Sequence, residues 1–253
     1  MPLLRTLGSV ALVQCGPGAE LLLDVQQKRL ALLVFLARGG RGHFVRRDVL
    51  LSLFWPEIDA QHGRGVLRQA LTALRKQLGA DVLVTRGEEE VGLAPDGLSC
   101  DAVAFEEACR AARFDVACAL YQGHFLAGFH TSGAAPDFEH WVDVERSQLR
   151  RLAVDASWSV ALHLEASGRV DEGVNCGWRA VDLNPDDEKG VARLIAMLDR
   201  QGDRSGALLV YAALERRLAE GFSAQPAPET RALMRAMRQR PTPVGISWPA
   251  VRS

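Results

Sequence analysis

No stretch of this chain reaches the ~18 consecutive apolar residues that a membrane span needs, which leaves a spanning helix out of the expectation. Cysteine is scarce and irregular. The five residues, Cys15, Cys100, Cys109, Cys118 and Cys176, include no C-x-x-C and no Cys/His cluster at metal-ligand spacing, so they read as reduced, packed thiols of a cytoplasmic protein rather than a disulfide framework. The N-terminus, MPLLRTLGSVALVQC, has a short apolar run but lacks a cleavage site, and Gln14 before Cys15 spoils a lipoprotein reading. H-E-x-x-H, a Walker-type loop and a Ser/His/Asp arrangement are all missing. Neither catalysis nor a metal or cofactor is expected. The segment RGGRGH (38–43) has no G-x-x-x-x-G-K and reads as a helix stop and turn.

Excess charge of one sign is also missing, because 30 Lys+Arg meet 31 Asp+Glu and the pI is near 6.6. That excludes a uniformly basic DNA-packing protein. The balance nevertheless divides along the chain. Residues 1–95 carry 12 basic against 9 acidic side chains, a net of +3, and the remainder a net of -4. An anionic partner should therefore meet the N-terminal part.

What is present begins with strand-like runs at Leu3–Leu7, Val10–Gln14 and Leu21–Leu23, with a Gly16-Pro17-Gly18 turn, which predict a small antiparallel sheet. A helix follows from Val25 with Leu30, Leu33, Val34 and Ala37 on one side, stopped at Gly39-Gly40. A second helix runs from about Arg46 to Trp55 and is closed by Pro56. The third, Ala60 to Gly79, has two different faces. Leu67, Leu71, Leu74 and Leu78 fall within an arc of roughly 60°. Arg64, Arg68 and Arg75 share an adjoining arc of about 40°, and Gln61, Gln69, Thr72 and Lys76 extend this polar sector without a single carboxylate.

Solvated faces usually mix signs and use Glu–Lys pairs, whereas arginine suits phosphate and guanine edges. The residues alone leave a solvated face and a nucleic-acid contact both open. Two strand-like runs, Val82–Thr85 and Val91–Ala94, then predict a hairpin. Strands, three helices and a hairpin outline a winged helix-turn-helix whose third helix enters the major groove.

Pro95 to Asp101 reads as a connector, and helices follow: Val103–Ala112, Phe114–Tyr121, and a long amphipathic one over Asp137–His163. Aligning Gly168 with Gly202 then superposes EASGRVDEGVNCGWRAVDL on DRQGDRSGALLVYAALERRL, an offset of 34 residues. That is the period of the tetratricopeptide helical hairpin. Asp186-Asp187-Glu188 reads as a helix start. The fold class expected is thus mainly α: an N-terminal winged helix-turn-helix with a small β-sheet and wing hairpin (1–97), an α-helical tetratricopeptide-like repeat domain (98–238), and a disordered tail (239–253).

These motifs in this order, LLSLFWPEIDAQHGRGVLRQALTALRKQLG, DAVAFEEACRAARFDVACALYQGHFLAGF and DFEHWVDVERSQLRRL, resemble the SARP-type bacterial transcriptional regulators over about residues 3 to 238. In that family an OmpR-type winged helix precedes a bacterial transcriptional activator domain. The resemblance implies binding of double-stranded promoter DNA, as a homodimer or tandem copies on repeats, and contact with RNA polymerase. It assigns Phe54-Trp55-Pro56 to the close of the second helix and Leu67-Arg68-Gln69-Ala70-Leu71 to the recognition helix. Three features depart from the family: Val91-Gly92-Leu93 stands in place of an aromatic Tyr-x-Leu element, Gly65 in place of a small polar residue, and the wing tip is acidic, Arg86-Gly87-Glu88-Glu89-Glu90. Carboxylates there would be repelled by a phosphate backbone.

The DNA-facing candidates are Arg64, Arg68, Arg75 and Lys76, with Arg86 on the wing. Gln69 and Thr72 either read base edges or are merely solvated. Arg46 and Arg47 either touch phosphate or form a surface pair. Trp55 and Trp141 are expected to pack between helices rather than stack on a ligand. The competing reading is a protein–protein adaptor that uses the helical repeats and whose winged helix no longer binds DNA.

Overall fold

The computed structural model describes the chain apart from residues 17–18, 40–41 and 241–253. The Pro17-Gly18 half of the first expected turn, Gly40 of the helix stop, and the tail from 241 on lie outside the described residues. Two compact units emerge, Met1–Ser159 and a second from Val160.

In the first unit, β1 (Pro2–Arg5), β2 (Ala11–Gly16) and β3 (Ala19–Leu23) form the expected antiparallel meander. The sheet does not end there. The stretch expected as a connector supplies β7 (Ser99–Cys100), which pairs in parallel with β1 and gives the order β3-β2-β1-β7. A two-residue strand has no alternation to detect, and it is tertiary pairing that holds it. Asp101 locks the junction. Its carboxylate accepts from the Thr6 N–H at 2.8 Å, the Thr6 hydroxyl at 2.6 Å and the Leu7 N–H at 3.0 Å, and also takes up the free Ala102 N–H of the helix that follows. Buried Thr6 thereby satisfies both its donors nearly a hundred residues away, and its carbonyl accepts from the Leu126 N–H at 2.8 Å.

Helix α1 (Gln27–Arg38) is buried along most of its length, α2 (Arg47–Phe54) ends at Trp55-Pro56, and α3 (Ala60–Leu78) starts where Asp59 accepts from the His62 N–H at 3.1 Å. A further strand, β4 (Phe44–Arg46), precedes α2 and takes Arg46, the residue at which the sequence pattern starts the second helix. It joins β5 (Leu83–Arg86) and β6 (Glu90–Leu93) in the order β4-β6-β5. Gly92 stands opposite Phe44 in this sheet, and a Cβ there would lie 2.4 Å from the His43 carbonyl oxygen. β4 approaches too closely at Gly92 for a side chain.

The same unit continues through α4 (Asp101–Arg110), α5 (Phe114–Leu120) and the greater part of α6 (Pro136–Ala166). Phe35 of α1 meets Trp141 with ring centroids 4.9 Å apart, Phe54 of α2 meets Phe138 at 4.9 Å, and Phe138 stacks on Trp141 at 5.5 Å. Trp55 is buried beside Phe54. Both tryptophans thus pack between helices, as expected. Arg38, at the end of α1, has a side chain only 5% exposed and forms a bidentate pair with Glu106 of α4 at 2.9 Å and a second pair with Glu145 of α6. Burial alone would lower the Arg38 pKa, but the two carboxylates outweigh it and raise it above the ordinary value.

The second unit contains the end of α6 and then α7 (Val170–Leu183), α8 (Glu188–Gln201), α9 (Arg204–Phe222) and α10 (Pro228–Gln239). Gly168 and Gly202, the anchors of the 34-residue alignment, both turn with positive φ, 79° and 88°. Gly173 permits the helix crossing: a Cβ on it would sit 2.9 Å from the Ala161 carbonyl oxygen. Asp187 and Asp203 cap α8 and α9 by accepting from Lys189 N–H and Gly206 N–H. Among the described residues no helix is long and apolar enough to cross a membrane.

Candidate nucleic-acid interface

The two faces of α3 are separated by packing. Leu67, Leu71, Leu74 and Leu78 are all buried, fixing the helix against the first unit's core, and Arg64, Arg68, Gln69, Thr72 and Lys76 are exposed on the other side. Gly65, Arg68, Gln69, Thr72, Ala73 and Lys76 line a shallow groove along this outer face. Thr72 donates its hydroxyl proton to the Arg68 carbonyl at 2.8 Å, which still leaves its oxygen able to accept. Among the described residues, Arg64, Arg68 and Lys76 have no ion-pair partner.

The remaining cationic candidates are more constrained. Arg75 is half-buried and donates through Nε and Nη2 to the Leu83 carbonyl oxygen, both at 3.2 Å, so it ties α3 to the root of β5. Arg46 pairs with Asp48 at 2.7 Å as an exposed surface pair. Arg86 pairs with Glu90 at 2.5 Å and lies over the Phe44 ring at 4.7 Å. The Arg86 hydrogen bond holds the Glu90 carboxyl below its usual range.

Arg47 is the exception of the wing side. Its backbone N–H donates to the Glu89 carbonyl at 2.8 Å, and its Nε is buried with no acceptor. The guanidinium lines a cleft shared with Asp48, Arg64, Arg68, Glu88 and Glu89. The acidic tip therefore divides: Glu90 neutralises Arg86 within the wing, and Glu88 and Glu89 sit at the cleft with the cations of α2 and α3. A linear reading of RGEEE could not separate these roles, because only the β4–β6 pairing brings the turn beside α2. Among the described residues no group of His, Cys, Asp and Glu is arranged to hold a metal ion.

Fold and site together define a class, a winged helix-turn-helix with one cationic outer helix face followed by tetratricopeptide-like hairpins. Residues 98–238 match the family model described as Bacterial transcriptional activator domain, and the chain belongs to that family. Over 234 residues it is 28% identical to Regulatory protein AfsR of Streptomyces griseus, an alignment that covers 86% of this chain and 23% of that protein. The chain thus spans about a quarter of that relative's length. In fold it is similar to Mycobacterium tuberculosis EmbR, solved in complex with a low affinity phosphopeptide, with a TM-score of 0.64, 22% identity and coverage of 95% of this chain and 66% of that one.

Proposed function

We propose that this chain is a sequence-specific DNA-binding regulator, an activator, which binds promoter repeats through α3 in the cytoplasm as a homodimer or tandem copies. In this reading residues 1–97 meet the duplex, and residues 98–238 engage RNA polymerase or another protein. The observation that carries it is the outer face of α3, where exposed Arg68, Gln69, Thr72 and Lys76 line one groove with no carboxylate among them. In this reading Arg64, Arg68 and Lys76 supply phosphate contact, and Gln69 and Thr72 read base edges. Arg75 supports the interface by fixing the wing root.

Selection of duplexes from a random library, followed by anisotropy at several salt concentrations, tests this. Arg64→Ala and Arg68→Ala should each weaken binding to the selected duplex and reduce the slope of log K against log salt by about 1 for each phosphate that is no longer neutralised. A second reading, the adaptor, is favoured by the carboxylates beside the cleft and by the internal engagement of Arg46, Arg75 and Arg86. It replaces the first if no duplex is enriched, or if the arginine variants bind as tightly as the wild type.

A further inference from the structure

The cleft between α2, α3 and the wing turn holds charges of both signs on a fixed frame. Arg47, Arg64 and Arg68 line it from the helices together with Asp48, whose carboxylate pairs with Arg46, and Glu88 and Glu89 line it from the turn. The turn is not a free tip. Arg46 stands opposite Glu90 in the β4–β6 ladder, the Arg47 N–H bonds the Glu89 carbonyl, and Gly87 makes the tight bend with φ 61°. Two main-chain restraints therefore hold the turn that carries the carboxylates. Among the described residues neither one has an ion-pair partner, although three guanidiniums line the same cleft.

Without Glu88 and Glu89 the cleft would be a cationic seat beside the outer face of α3, because the remaining carboxylate, Asp48, is paired with Arg46. Three arginines line it, the side chain whose donor fork suits a phosphate best. A phosphodiester seated in it would be held regardless of sequence. The outer groove of α3, with Gln69 and Thr72, does not include the two carboxylates in its lining.

Resting on the reading of α3 as the DNA-contacting helix, we propose that Glu88 and Glu89 are specificity-determining residues: they spoil the cleft as a phosphate seat, so that duplex binds firmly only in the register where α3 engages base edges. Discrimination between two binding modes can be built by placing repulsive charge against the unwanted one. With Asp48 counted, the ionised side chains of the lining carry a net charge of about 0, in place of the +2 they would have without the two glutamates. Non-specific complexes depend almost wholly on phosphate contact and lose most from this.

The test is the double variant Glu88→Gln, Glu89→Gln in the full chain, with each single variant alongside. It is measured against the duplex that wild type selects and against a scrambled duplex of the same composition. The variants should bind the scrambled duplex on the order of tenfold more tightly at low salt, with a steeper salt slope, and the selected duplex should gain less, so that the affinity ratio falls. Equal gains on both duplexes, no gain on either, or weaker binding to both with an unchanged thermal melt would each overturn the inference. A wild type that selects no duplex overturns the DNA-binding reading and this inference with it; one that selects a duplex while the variants keep its ratio overturns only this inference.

Discussion

At the scale of single residues, Arg38 shows how a charge can act as a core residue. It sits between two carboxylates from different helices, and removing it leaves both without their partner in a partly buried place. Arg38→Ala should destabilise the first unit by about 3 kcal/mol, the usual size of a broken buried pair, read as a lowered midpoint in denaturant. Arg38→Met should recover part of the loss through its apolar stem. The cysteines differ in reactivity for a physical reason. Burial, then the neighbouring Cys118, push the Cys109 thiol up to about 11, and burial also raises buried Cys100. Exposed Cys15 should therefore be the first alkylated at pH 8, with Cys100 and Cys109 slow, as mass spectrometry of timed samples would show. On the wing, the Glu90 carboxyl should titrate below its ordinary range by NMR and return toward it in Arg86→Ala. Because the folded value is depressed, the pair's contribution is present above the unfolded pKa and lost as pH falls through the folded one.

At the scale of elements, the glycines separate into those with room and those without. Gly65 lies within α3 and a Cβ there would meet nothing within 4 Å, so Gly65→Ala should raise stability by roughly 0.5–1 kcal/mol through helix propensity alone. Gly173→Ala should do the opposite in the second unit, because the added methyl would press on the Ala161 carbonyl at 2.9 Å. Paired thermal melts decide both signs. Elements with a strong period were legible in the sequence: the leucine stripe of α3, the 34-residue spacing of Gly168 and Gly202, and the acidic start of α8 all appear where their patterns placed them. β4 and β7 were not, since three- and two-residue strands are held by partners distant in sequence. The candidate interface was legible as a face of α3, but which of its cations are free was not. Whether Arg75 reaches outward or binds the Leu83 carbonyl depends on where β5 packs.

At the scale of the whole molecule, the first compact unit reaches Ser159, although the family match begins at residue 98. Its early helices complete the winged helix: Asp101 satisfies Thr6 and Leu7, Glu106 and Glu145 hold Arg38, and Phe138 and Trp141 cover Phe54 and Phe35. A fragment of residues 1–97 should accordingly melt without a cooperative transition or aggregate, whereas one of residues 1–166, ending with α6, should unfold cooperatively. Circular dichroism on the two fragments distinguishes them. A cooperative melt of the short fragment would show that the contacts beyond residue 97 are dispensable.

The parallel pairing of β1 with β7 also bears on how the protein is made. β1 leaves the ribosome and then waits for a partner some hundred residues behind it, and Thr6 waits equally long for the Asp101 carboxylate. The apolar faces of α1 and α2 wait longer still, until Phe138 and Trp141 emerge. During that interval the nascent winged helix carries an open sheet edge and an uncovered aromatic patch, the features that recruit chaperones and promote misassembly. Translation speed between codons 100 and 141 is therefore a variable to which the yield of this protein should respond.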